Sequence, residues 1–119
     1  MFNFEKHEIY QDSLALIKAI YQLASGFPAK EQFGLIQQLK RAATSIALNI
    51  AEGKGRYSKK EFKQYLYIAR ESLYETLALL DLFKQLEWIS IESFQAFYHQ
   101  AEEISRMLSG LINFLAEKK

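Results

Sequence analysis

Eight basic residues, Lys40, Arg41, Lys54, Arg56, Lys59, Lys60, Lys63 and Arg70, share a stretch of chain with only two acids, Glu52 and Glu61. Eight against two is a local balance of +6 in a protein whose formal net charge is +1, so the remainder is acidic. Ammonium and guanidinium groups neutralise phosphates and release their counterions. At about 100° per residue, Lys59, Lys63 and Arg70 project to one side of a helix, with Tyr67 and Tyr74 beside them. Tyrosine faces stack on unpaired bases. One reading is a polyanion-binding surface of Lys54, Arg56, Lys59, Lys60, Lys63, Tyr67 and Arg70. The other is a solvated rim whose charges pair with acids on neighbouring subunits. A net charge of +1 falls short of the strongly basic footprint of dedicated nucleic-acid binders, and both readings stand.

Other chemistry is sparse. There is no cysteine, which excludes thiolate metal sites, disulfides and cysteine nucleophiles. His7 and His99 are the two histidines, and neither follows a glutamate at the spacing used by di-iron bundles. His99 with Glu102 and Glu103 is a weak metal candidate; a surface or core-edge histidine is the simpler reading, and no metal or cofactor is expected. Gly53-Lys54-Gly55-Arg56 resembles a phosphate loop superficially. Leu48 stands where that loop needs its first glycine and Gly55 where it needs Ser or Thr, while Ser58 replaces the third glycine of a dinucleotide fingerprint. Helix-ending glycines in a turn are the simpler account, although the next helix's amino terminus offers free amides to a phosphate. No strained turn presents a serine nucleophile.

These residues need helices to position them. Half of the 119 residues are hydrophobic and one is proline, a globular and helical composition. Apolar residues recur at three- and four-residue steps through Ile9, Leu14, Leu16, Ile17, Ile20, Tyr21 and Ala24, predicting a helix over about 5–25. Gly26 suits a left-handed cap and Pro28 the start of the next helix. The second helix is expected over about 29–52, with Leu35, Leu39, Ala42, Ala43, Ile46 and Ile50 inward. Arg41, Ser45, Asn49 and Glu52 form a polar seam on it, and Glu75 lies at the edge of the third helix's buried face. A network within or between subunits is the economical reading, with Arg41 pairing to Glu75 or Glu52. Ala42, Ala43, Ala47 and Ala51 permit close helix approach beside it.

Gly53 and Gly55 break the second helix, and Ser58 to Glu61 matches a capping box that opens a third helix to about Leu86. Its inward residues are Phe62, Leu66, Ala69, Leu73, Leu77, Leu80 and Phe83. Ser90 caps a fourth helix ending near Glu117, with Phe94, Phe97, Ile104, Leu108, Leu111, Ile112 and Leu115 inward. Trp88, Ile89, Phe94, Phe97 and Tyr98 read as core and subunit interface rather than a ligand pocket. Short breaks between long helices make antiparallel neighbours, hence an all-α, up-and-down antiparallel four-helix bundle in a single domain over 1–119. The amino terminus lacks the apolar core of a leader, and no apolar run spans a bilayer. A cytoplasmic protein with no membrane partner is the expectation.

Leu35, Gln38-Leu-Lys-Arg-Ala-Ala, Ser45-Ile46, Asn49-Ile-Ala-Glu-Gly53, Arg56, Ser58, Glu61-Phe62, Ile68-Ala69 and Ser72 together resemble a bacterial family. Its members are four-helix-bundle proteins first noted as reading frames inside intervening sequences of large-subunit ribosomal RNA genes. The Phe27-Pro28 turn and the segment from Arg106 to Leu111 extend the likeness along the chain. The resemblance implies a ring-like homopentamer without established enzymatic activity. It is also similar in fold to an accessory protein of diversity-generating retroelements, which implies a basic surface engaging a reverse transcriptase and nucleic acid. Lys40 departs from a common arginine, Ala47-Leu48 from proline-serine, and Glu71 from glycine. Glu71 sets a negative charge beside Arg70. The combined expectation is a non-enzymatic homo-oligomeric scaffold binding RNA or DNA, with a protein-interaction adaptor as the alternative.

Overall fold

A computed structural model describes residues 3–31 and 33–117 as four long helices in an antiparallel bundle. Helix α1 spans Glu8–Ser25, α2 Leu35–Lys54, α3 Lys59–Gln85 and α4 Ile91–Glu117. Short 3-10 turns, Asn3–Lys6 and Ala29–Glu31, precede α1 and α2. Each helix packs on its sequence neighbours and α4 returns against α1, closing a rod of 49 × 23 × 21 Å.

The apolar periodicity explains this closure. Leu16, Ile20, Ile36, Leu39, Ile46, Ile50, Leu66, Leu73, Leu80, Ile104 and Leu108 are fully buried along the axis. Each such side chain contributes about 1.5–3 kcal/mol relative to exposure. The buried polar side chains are satisfied locally: Ser13 Oγ donates to the Ile9 carbonyl and Thr76 Oγ1 to the Ser72 carbonyl, both at 2.8 Å. Some inward expectations shift by one position. Tyr21 is exposed while Ser13 is buried, and Leu77 is half-buried while Thr76 and Leu79 are buried.

The breaks differ more. Gly26 caps α1 in the right-handed region, at φ −83°, and the positive φ falls instead at Gly34, 72° with ψ −121°. Helix α2 therefore starts at Leu35 rather than at Ala29; Gln32, within the expected span, lies outside the described residues, as do Met1, Phe2 and 118–119. The α3–α4 break is a Schellman closure with Glu87 at φ 62° in the position that favours glycine. The Trp88 and Glu87 amides donate to the Phe83 and Lys84 carbonyls. The Trp88 ring packs against Phe83 at 5.1 Å between centroids, and Phe27 completes an aromatic plug at that end. Ile89 and Phe97 join the core, whereas Tyr98 is exposed.

Candidate nucleic-acid interface

The opposite end carries the charge. Helix α2 continues through Gly53 to Lys54, and Gly55, not Gly53, is its cap. Gly53 is buried, with the space for its missing side chain already taken: an added Cβ would stand 2.6 Å from the Tyr65 Cβ and 3.0 Å from Phe62 Cδ1. The glycine is there for close approach of α3. Ser58 then caps α3, its Oγ accepting the Glu61 amide at 3.0 Å. The reciprocal half of the capping box differs from expectation, because Ser58 Oγ also donates to Glu61 Oε1 at 3.3 Å. A carboxylate thus already sits beside this helix terminus, which disfavours a phosphate there by like-charge repulsion.

Arg56 is held down. Its Nη2 donates to Glu52 Oε2 at 2.8 Å and to the Tyr65 hydroxyl, and the guanidinium lies 4.8 Å from the Tyr65 ring centroid. Tyr65 in turn donates to the same Glu52 oxygen at 3.2 Å. Hydrogen bonding to Glu52, helped by Tyr65, raises the Arg56 pKa above its ordinary value. This three-residue clasp ties the end of α2 to α3 across the turn. The cleft beside it, lined by Phe4, Ala51, Glu52, Gly55, Arg56, Tyr57 and Glu61, holds two carboxylates against one guanidinium and does not favour an anion.

The remaining cations lie elsewhere. Lys59 and Lys60 are exposed, Lys54, Lys63 and Arg70 half-buried, and none of the five has an ion-pair partner among the described residues. The Lys54 ammonium lies over Phe62 at 5.6 Å and the Arg70 guanidinium over Tyr67 at 5.1 Å, arrangements that hold each charge at the surface through its apolar stem. Tyr67 is 42% exposed and Tyr74 55%. Sequence reasoning passed over Tyr57, the fully exposed ring at the tip of the turn. Its signal was its place between Arg56 and Ser58, where no apolar periodicity requires a large ring.

The polar seam divides. Asn49 Nδ2 donates to the Ser45 carbonyl and Oγ at 2.8 and 2.9 Å, and Ser72 Oγ donates to Ser45 Oγ at 2.9 Å, joining α2 to α3. Ser72 is the member that helical projection of α2 alone could not supply. Glu75 accepts from Gln38 Nε2 at 3.2 Å, and Glu52 belongs to the Arg56 clasp. Arg41 reaches neither acid within the subunit; it is exposed and has no ion-pair partner among the described residues, so of the two arrangements expected the one within the subunit does not form. Arg41 lines two surface grooves that share Gln37, one with Phe33 and Gln38 and one with Tyr21, Lys40, Ser45, Leu48 and the Glu52 that Arg56 holds.

Among the described residues no group of three or more His, Asp or Glu side chains is placed to hold a metal. His99 Nδ1 stands 3.6 Å from Glu102 on the exposed side of α4. Among the described residues no helix is long and apolar enough to cross a membrane. His7, at the start of α1, has its pKa lowered from 6.5 by burial and then by the charge of Lys54. The folded protein therefore resists a proton that the unfolded chain accepts. This contribution to stability is complete above about pH 6.5 and is lost as pH falls through the lowered value. Thermal melts between pH 7.5 and 5 should show a loss that His7→Gln makes shallower; identical slopes would refute the assignment.

The fold places the chain in the class of all-α four-helix bundles, here with basic residues gathered around the α2–α3 turn. Within that class the chain belongs to the family of 23S rRNA-intervening sequence proteins, whose family model matches residues 5–110. It is similar to the crystal structure of a protein of unknown function from the S23 ribosomal protein family of Bacteroides thetaiotaomicron, with a TM-score of 0.81 and 30% identity. That likeness covers 87% of this chain and 97% of the other. No curated protein matches the chain. Neither the family's description nor that of the neighbouring structure names a catalytic activity.

Proposed function

We propose that the protein is a non-enzymatic, homo-oligomeric scaffold of the bacterial cytoplasm that binds RNA or DNA through Lys54, Lys59, Lys60, Lys63 and Arg70, with Tyr67 extending the surface. The observation that carries this reading is that those five cations have no ion-pair partner among the described residues, while Arg56 is neutralised by Glu52. Their charge is free for phosphates. The association of the family with 23S rRNA, in its own description, supports an RNA setting. A ring of subunits, five by family resemblance, would repeat a weak patch and raise its avidity by effective concentration. Titration of a labelled RNA at several salt concentrations tests the reading, since affinity that rests on phosphate contacts falls steeply as salt rises. Absence of binding at low salt would sink it.

Assembly through α2 is supported by a separate observation. Leu48 is 60% exposed and Phe33 82%, along the face where Arg41 lacks an acid. A second subunit covering this face would bury both apolar side chains and bring a carboxylate to Arg41. Leu48→Glu should then lower the mass measured by analytical ultracentrifugation to that of a monomer with unchanged helicity. An unchanged oligomer would remove this face from the interface. Should the oligomer bind an acidic polypeptide and no nucleic acid, the same cations would serve a protein-interaction adaptor.

A further inference from the structure

We propose that the nucleic acid held at the basic corner is single-stranded and runs along one flank of α3 with bases stacked on Tyr67 and Tyr74. The inference rests on the binding reading above and names its substrate class. Lys60, Lys63, Tyr67, Arg70 and Tyr74 follow one another at steps of three, four, three and four residues. At about 100° per residue they fall within a sector of about 80°, forming a nearly straight line about 21 Å long. Cations and aromatic rings share that line.

The rings are not there for the core. Tyr67 and Tyr74 stay substantially exposed, and α2 packs against the other flank of α3 through Tyr65, Ser72 and Glu75. The Arg70 guanidinium covers part of Tyr67, fixing that ring and adding a planar cation to the platform. Unpaired bases stack on such rings and guanidinium planes, whereas bases in a duplex already have stacking partners. Tyr57 supplies a further free face near the Lys60 end.

Charge around the line discriminates against a second strand. Glu71 is exposed beside it, so the phosphates of a complementary strand lying over α3 would meet its carboxylate. Beyond Tyr74 the same line continues to Leu77 and Asp81, and Asp81 already holds Lys84 at 3.2 Å. The basic track therefore ends there, giving each subunit a footprint on the order of four nucleotides, the short end of single-strand site sizes.

Fluorescence anisotropy on the intact protein at low salt tests this with three probes: a labelled twelve-nucleotide RNA of mixed sequence, its duplex, and an abasic strand with the same phosphates. The single strand should bind about 10-fold or more tightly than either of the others, the scale expected when stacking is lost. Tyr67→Leu with Tyr74→Leu should bring RNA affinity down to that of the abasic strand, while Tyr67→Phe with Tyr74→Phe retains it. Both rings are exposed, so unchanged melting temperatures will show that the fold is intact. Equal affinity for all three probes, or unaltered RNA binding by the leucine variant, would overturn the single-strand inference and leave phosphate binding standing. Binding of none of the probes, with capture of polyglutamate instead, overturns both in favour of an acidic protein partner.

Discussion

Replacing Lys59 and Lys63 together with glutamate should abolish RNA binding while leaving the bundle folded. The two lysines sit on the first turns of α3, one exposed and one half-buried, and neither has an ion-pair partner among the described residues. Their loss breaks no ion pair in the subunit, so circular dichroism and melting temperature should change little. The effect on an anionic ligand is large because each substitution removes a favourable phosphate contact and installs a repulsive one. Glu61 lies nearby and already places a carboxylate at the helix terminus. Single substitutions to glutamine provide a graded test. Each lost phosphate contact should reduce the steepness of log affinity against log salt by about 0.7 for a single strand. A reversal at Lys18, exposed on α1, should leave binding within about twofold if the corner is the site, since charges beyond a Debye length of roughly 8–10 Å are largely screened. Equal losses at Lys18 and at the corner would show that binding is a diffuse attraction to the whole surface.

The second large effect concerns packing, and its sign separates two glycines. Gly53→Ala should destabilise the protein by about 1–3 kcal/mol, the usual cost of overpacking. Its new methyl group would lie 2.6 Å from the Tyr65 Cβ, an atom held by the α3 backbone that cannot swing aside. Alanine in a helix ordinarily gains about 1 kcal/mol over glycine, and here that gain is outweighed. Gly110, in the interior of α4, is exposed, and an added Cβ there meets nothing within 4 Å. Gly110→Ala should therefore stabilise by about 0.4–1 kcal/mol. For a chain of this length about 1 kcal/mol corresponds to roughly 4 °C in melting temperature, so the two variants should move in opposite directions by measurable amounts. A stabilising Gly53→Ala would mean that α2 and α3 lie farther apart than described. Because Tyr65 also joins the Arg56–Glu52 clasp, displacement at Gly53 should loosen the turn that positions Lys59 and Lys60.

The helices were legible because their signal is local and repeated. A face such as Leu39, Ala42, Ala43, Ile46 and Ile50 must be buried, whatever it packs against, and the structure buries all five. Caps that use a side chain were equally readable: Ser58 and Ser90 accept amides from Glu61 and Ser93 as their positions imply. Backbone geometry in the breaks was not. Gly26, Gly34 and Gly53 look alike in sequence, yet one is a right-handed cap, one supplies a positive φ, and one makes room for a neighbouring helix. Those roles depend on where another segment passes.

The candidate site divides along the same line. Composition and spacing by themselves determined that this is a helical bundle without cysteine chemistry and that its positive charge collects around the α2–α3 turn. They also placed Lys59, Lys63, Tyr67 and Arg70 on one side of a helix, because helical period alone dictates which residues of one helix share a face. Only the tertiary structure decided which charges remain free. It closed Tyr65 onto the Glu52–Arg56 pair, gave Glu75 to Gln38, joined Ser45 to Ser72, and left Arg41 exposed. Glu52–Arg56 and Asn49–Ser45 are four residues apart and follow helical spacing, but the contacts between helices form over about 3 Å between groups far apart in the chain, so those partners are set by how helices approach and rotate rather than by any pattern within one helix.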